Sequence, residues 1–105
     1  MLGRRRFDDL LRRQLDLFEA DEEPLLSEAD EADAAWTNAS REEAEELYGD
    51  YQLVVDEIAG RLLDVRETYA SSLDERTADR YRVAFNRAAV KRFRPYTALL
   101  VSDEE

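Results

Sequence analysis

Apolar residues recur at helical spacing along the longest periodic stretch of the chain, residues 40–73. The steps between them are three or four residues, so they share one face of an α-helix. The pattern therefore predicts one long, nearly straight helix over residues 40–73. We expect its apolar stripe to serve as an interaction surface, formed by Leu47, Tyr51, Val54, Ile58, Leu62 and Val65.

Both ends of this long helix carry local signals. Ser40 followed by Glu43 is a capping box, in which the serine hydroxyl accepts a main-chain N–H and the glutamate returns to the N–H of the cap. At the other end, Asp74 can cap a further helix over residues 75–94. Pro95 should end that helix, because the residue before a proline is pushed out of helical geometry. A short apolar tail, residues 95–101, follows.

The N-terminal third is also helical in pattern, with two alternatives for its organisation. Residues 5–20 form an amphipathic helix, and Pro24 favours the start of a second helix over residues 24–37. The apolar register continues across Pro24, however, so a single long helix kinked at that proline is equally compatible with the pattern. We keep both alternatives open.

These elements predict a single all-α domain over residues 1–105. The expected fold is a small bundle of three or four helices built on the long central helix, with an antiparallel hairpin and a shorter C-terminal helix. Because the helix over residues 75–94 covers only about half of that hairpin, we expect apolar residues of the long helix to remain uncovered. A homodimer or another protein partner would cover them.

Charge is strongly segregated in this chain of 105 residues with net charge −11. Residues 19–50 hold 13 acidic residues and one arginine, whereas the last predicted helix carries a basic face of Arg80, Arg87, Lys91 and Arg94. This face either binds phosphate groups or pairs with the acidic segment, within one molecule or across a dimer. The excess of acid would repel a polyanion and disfavours nucleic acid as a partner.

The residue types present limit the chemistry. The sequence has no cysteine and no histidine, which excludes thiolate or imidazole ligands and histidine-dependent catalysis. Its three glycines are far apart, so there is no glycine-rich phosphate loop. We therefore expect no cofactor.

One carboxylate pattern remains, Glu42, Glu43 and Glu46 in the run 42–46. It resembles the first half of the magnesium motif of the all-α nucleotide pyrophosphohydrolases of the MazG and dUTPase type. That resemblance implies Mg²⁺ held against a polyphosphate by oxygen ligands on two helices. The second half, Glu-x-x-Asp, is missing: Glu57 is followed by Gly60 and Glu67 by Ala70.

No apolar run approaches the length of a membrane span, and we expect a cytoplasmic protein. The sequence favours a non-enzymatic accessory or regulatory role, exerted through protein contacts or self-association. The alternatives are a magnesium-dependent nucleotide hydrolase built on Glu42, Glu43 and Glu46, and nucleic-acid binding through the basic C-terminal helix.

Overall fold

The computed structural model describes residues 6–102, and within them all regular structure is helical. The element order is α1 (Asp8–Asp21), α2 (Glu23–Thr37), α3 (Arg41–Ala70), α4 (Glu75–Phe93) and α5 (Ala98–Ser102). A 3-10 turn, Arg94–Tyr96, precedes α5. The all-α prediction with a long central helix and a shorter C-terminal helix is confirmed. The molecule is elongated, about 52 × 28 × 24 Å, because α3 sets its length.

A single residue, Glu22, separates α1 from α2. Its backbone leaves helical geometry at φ −104° and ψ 17°, although its N–H still donates to the Phe18 carbonyl. Pro24 has no N–H to donate, and its ring displaces the carbonyl four residues back, at Ala20. The chain therefore forms two helices, α1 and α2, which are joined by the single residue Glu22.

The α2–α3 hairpin turns at Asn38–Ser40, and Ser40 caps α3. The Glu43 N–H donates to Ser40 Oγ at 3.4 Å, as the capping box predicts. The second half of the box differs, because the Ser40 hydroxyl donates to Glu43 Oε1 at 3.3 Å. The glutamate thus accepts from the side chain of the cap.

The long helix ends at Ala70, three residues before the predicted end. The hydroxyl groups of Ser71 and Ser72 donate to the carbonyls of Thr68 and Tyr69, at 2.8 and 2.7 Å. Serine hydroxyls compete with the backbone for such carbonyls and favour turns. Asp74 then caps α4, accepting from the Thr77 N–H at 2.9 Å.

The C-terminal residues return to the bundle. α4 ends at Phe93, one residue earlier than predicted, where the backbone leaves helical geometry at φ −130° and ψ 40°. Arg94, the residue before Pro95, keeps helical dihedrals and begins the 3-10 turn, so the predicted effect of Pro95 on that residue is not seen. Tyr96 and Leu100 are buried against α3 and α4, whereas Leu99 and Val101 face outward. α5 therefore covers part of α3. The sequence pattern predicted only a short apolar tail at these residues.

One apolar core connects all of these elements. Residues of all five described helices meet in it, with Ala29 as the buried contribution of α2, and its fully buried members also include Ile58, Leu62, Tyr81 and Leu100. Aromatic rings interlock there, with Phe18 and Phe93 edge to face at 5.5 Å between centroids. No helix in residues 6–102 is long and apolar enough to cross a bilayer.

Candidate interaction surfaces

The apolar stripe predicted on α3 is largely internal to one chain. Ile58 and Leu62 are fully buried, and both belong to the core. The other four predicted interaction residues, Leu47, Tyr51, Val54 and Val65, are half-buried. The prediction of uncovered apolar residues counted the antiparallel hairpin and α4 as the cover of this stripe. In the structure, α5 and the 3-10 turn also pack against α3. A partner could reach only the ends of the stripe without opening the core.

The buried face of the C-terminal half of α3 is shifted by one residue position from the predicted face. Towards its C-terminal end it runs through Arg66 and Ala70, beside Val65 and Tyr69 of the predicted stripe. Arg66 follows Ile58 and Leu62 at the same spacing of four, so helix periodicity places it on the same face. Because arginine is rarely buried, the sequence pattern alone predicts that it is exposed. The sequence therefore missed Arg66, of which only 2% is exposed.

Arg66 is part of a buried polar cluster between α3, α4 and α5. Its Nη1 donates to Asn86 Oδ1 at 3.0 Å, and the Asn86 amide donates to the Leu100 carbonyl at 3.2 Å. The Nε of Arg66 donates to Glu67, which also receives both Nε and Nη2 of Arg82. Hydrogen bonding from Arg82 holds the pKa of Glu67 below its usual value.

This cluster has a structural role. In the described residues, every buried side-chain nitrogen or oxygen has a hydrogen-bond partner. A buried charge is tolerated only when it is paired in this way. The cluster ties α5 to α3 and α4 rather than presenting a reactive group.

A groove of about 600 Å³ lies between α1 and α3. We call it the α1/α3 groove. It exists because α1 turns at Glu22 and packs mainly against α4, which leaves a gap beside the C-terminal half of α3. Its lining residues are Gln14, Leu17, Phe18, Asp21, Glu22, Asp64, Val65, Thr68, Tyr69 and Ser72.

The lining of the groove combines apolar and acidic side chains. Leu17 is 61% exposed, while Phe18 beside it is buried and Val65 is half-buried. The lining includes three carboxylates, at Asp21, Glu22 and Asp64, and no basic residue. Glu22 is paired with Arg61 at 2.6 Å, and the described residues hold no ion pair to Asp21 or Asp64.

The predicted basic face lies on the outer side of α4. Arg80, Arg87, Lys91 and Arg94 are all exposed, and none of them forms an ion pair with another described residue. The cation that joins α4 to α1 is instead Arg92, which reaches Asp16 at 2.6 Å and Glu19 at 2.8 Å. Pairing of the basic face with the acidic segment inside one chain is therefore not seen in residues 6–102.

Arg76 extends this face towards the start of α4 and was missed in the sequence pattern. It is exposed and lies four residues before Arg80 on the same side of the helix. Val83 stands within the row and is 44% exposed. We define the basic stripe as Arg76, Arg80, Val83, Arg87, Lys91 and Arg94.

The outer side of α3 has the opposite charge. Glu42, Glu46, Asp50 and Glu57 are exposed along one face, and Leu53 stands among them, 70% exposed. Leu53 is the most exposed large apolar side chain among the described residues. We define the acidic stripe as these five residues.

The carboxylates of the hydrolase-like pattern do not form a metal site in this structure. Glu42, Glu43 and Glu46 are exposed, and Glu43 is engaged with the cap residue Ser40. Across residues 6–102, no group of three carboxylates is placed to hold a metal ion. A site of the implied kind needs oxygen ligands from two helices, and no second helix supplies them here.

An aromatic cluster occupies the tip of the α2–α3 hairpin. Trp36 meets Tyr48 edge to face at 4.9 Å between ring centroids and lies 6.4 Å from Tyr51. Its indole Nε1 donates to Asp33 Oδ1 at 3.1 Å. Burial raises the pKa of Tyr51 above its ordinary value. The cluster closes the hairpin end.

In comparisons with known proteins, no family model, curated protein or solved structure matches the chain.

Proposed function

We propose that this protein is an accessory protein that binds a basic amphipathic helix of a partner protein in the α1/α3 groove. The observation that carries the proposal is the groove itself, whose apolar lining includes the exposed Leu17 and whose charged lining residues are all acidic. An exposed apolar depression with a polar rim is typical of sites that receive another protein.

The size of the groove suits a short stretch of helix. Its lining runs from Gln14 in α1 to Glu22 just after it, and from Asp64 in α3 to Ser72 just after that helix. Each of these segments spans about 12 Å at 1.5 Å per residue, roughly two helical turns. A partner helix could insert two or three apolar side chains at i, i+3 and i+4 spacing, as other helix-in-groove complexes do.

The acidic residues of the groove favour a partner helix that carries basic residues. Asp21 and Asp64 would face lysine or arginine residues that flank the apolar side chains of the partner. The net charge of −11 would also attract a basic partner over a longer distance and accelerate association. An acidic helix of the same shape would be repelled by these carboxylates.

A role in binding also agrees with the residue types available. The chain has neither histidine nor cysteine, and Glu42, Glu43 and Glu46 lack opposing carboxylates within the described residues. The magnesium hydrolase alternative would be supported instead if the protein released pyrophosphate from a nucleoside triphosphate in the presence of Mg²⁺.

The proposal can be tested with a synthetic amphipathic peptide of 18 residues made of leucine and lysine, helical in its bound form. We expect saturable binding with Kd in the micromolar range and amide chemical-shift changes that centre on Leu17, Val65 and Tyr69. Leu17→Ser should weaken this binding at least tenfold. Val101→Ser, which changes an exposed valine on α5, should leave it within about twofold.

Two control peptides separate the groove from general charge attraction. One has the same leucine and lysine content in a scrambled order, and the other carries glutamate in place of lysine. Equal binding of the scrambled peptide, or no effect of Leu17→Ser, would contradict the proposal.

A further inference from the structure

Two exposed helix faces outside the α1/α3 groove carry opposite charges. The basic stripe on α4 and the acidic stripe on α3 both face solvent, and each contains one exposed apolar residue, Val83 and Leu53. Their lengths are comparable, about 27 Å from Arg76 to Arg94 and about 23 Å from Glu42 to Glu57. The two stripes are complementary in charge.

We propose that copies of this chain associate by packing the basic stripe of one copy against the acidic stripe of another. In this contact Leu53 and Val83 supply the apolar centre, and the charged residues on either side pair across it. Exposed helix faces with an apolar centre and charged flanks are the arrangement by which paired helices select their partner and register.

The residues of the basic stripe lower the local stability of α4. Arg76 and Arg80, and Arg87 and Lys91, are like-charged pairs at i, i+4, and such pairs destabilise a helix. Arg76 also lies in the first turn, where the helix dipole disfavours a cation. Local conflicts of this kind that no internal contact relieves are typical of residues retained for binding.

The other cations of the described helices show that pairing inside the chain is available. Arg61, Arg82 and Arg92 each contact at least two carboxylates. The five cations of the basic stripe, in contrast, form no ion pair within residues 6–102, and of the acidic stripe only Glu57 does, with Arg61. The charge of the five cations is thus open to an acidic surface outside the chain, and the acidic stripe supplies one on every copy.

A nucleic acid is the competing occupant of the basic stripe, and the whole molecule argues against it. A chain of net charge −11 repels a polyanion, and an isolated row of five cations must overcome that repulsion. A second copy offers, at the contact, an exposed leucine and four carboxylates, of which Glu57 already contacts Arg61 of its own chain. At about 0.15 M salt the repulsion between distant charges is screened, whereas charges in contact still attract.

The test is a charge exchange between the stripes, read by sedimentation equilibrium at protein concentrations from about 10 to 500 μM. We expect the wild type to associate over this range. The variant Arg80→Glu/Arg87→Glu, with two acidic residues on the basic stripe, should associate at least tenfold more weakly. The variant Glu46→Arg/Asp50→Arg should show the same loss.

Mixing these two variants provides the decisive measurement. Each then offers the charge that the other lacks, so association should return to within about threefold of the wild type. The matched control is Arg13→Glu, which reverses an exposed cation on α1 and should leave association unchanged. Circular dichroism should show every variant to be as helical as the wild type, since all the changes are at exposed positions.

Three outcomes would overturn the proposal. These are a wild-type mass of one chain at 500 μM, association that neither reversal affects, and failure of the mixed variants to associate. Salt-sensitive binding of a 20-nucleotide DNA or RNA that Arg80→Glu/Arg87→Glu abolishes would assign the stripe to a nucleic acid instead.

Discussion

At the scale of single residues, Tyr81 shows how tertiary burial changes a common side chain. The ring lies between Phe7, Tyr69 and Phe85 and has no exposed surface. Its hydroxyl donates to Gln14 Oε1 at 2.8 Å, which joins α4 to α1. Burial raises the pKa of Tyr81 to about 12.

This shift predicts a loss of stability in alkaline solution. The folded chain holds the Tyr81 proton more tightly than the unfolded chain, in which the pKa is about 10. The contribution is complete below pH 10 and is lost between pH 10 and 12 as the unfolded state ionises. We expect the free energy of unfolding to fall by roughly 1 kcal/mol from Tyr81 by pH 11, measured by urea denaturation.

Tyr81→Phe provides the control for this effect. Phenylalanine keeps the ring but cannot ionise, so the decline above pH 10 should become shallower. Some decline should remain, because burial also raises the pKa of Tyr51 and Tyr96. An identical slope in the variant would mean that Tyr81 ionises normally in the folded chain.

At the scale of secondary structure, α3 is longer than its neighbours and contains two glycines, Gly49 and Gly60. A methyl group built at either position has no other atom within 4 Å, apart from its own helix and chain neighbours. Close approach of a neighbouring helix in the same chain therefore does not explain them. Each weakens α3 relative to alanine by about 1 kcal/mol.

Gly49→Ala should therefore raise the free energy of unfolding by about 0.5–1 kcal/mol, and Gly60→Ala by a similar amount. Thermal or urea unfolding at low micromolar concentration measures this in the single chain. Gly49→Val should give a smaller gain, because a β-branched side chain loses rotamer freedom in a helix. Destabilisation by Gly49→Ala would show that another element lies closer to α3 than the structure places it.

At the scale of the whole molecule, electrostatic repulsion opposes the fold. The net charge is −11, and residues 19–50 concentrate 13 acidic residues in the end of α1, in α2 and in the first turns of α3. The ion pairs of the described residues involve mostly exposed side chains, such as Arg12 with Asp9. Exposed pairs contribute about 0–1 kcal/mol each, so they do not offset repulsion across a whole hairpin.

Salt should therefore stabilise the single chain. Raising NaCl from about 10 mM to about 0.5 M shortens the Debye length from about 30 Å to about 4 Å and screens the repulsion more than it weakens the contact pairs. We expect Tm to rise by several degrees. Glu28→Gln/Glu31→Gln, which removes two exposed charges from α2, should raise Tm at low salt and reduce the further gain from NaCl. A Tm that falls with salt would show that ion pairs dominate instead.

The sequence by itself determined the elements of this protein, because their signals act over three or four residues. Ser40 and Asp74 cap α3 and α4 through bonds to residues three positions ahead. Pro24 divides two helices through the backbone immediately around it. The all-α class and the long central helix followed from the same local periodicity.

Only the tertiary structure decided which side of each helix is covered, because burial depends on residues far apart in the chain. Ile58 and Leu62 were expected at an interaction surface and lie in the core, and Arg66 is buried because Asn86, twenty residues later, accepts from it. The α1/α3 groove arises from the way α1 turns at Glu22 and docks on α4. Helix periodicity shows which residues share a face, but the packing of the other helices determines whether that face meets the core, a groove or solvent.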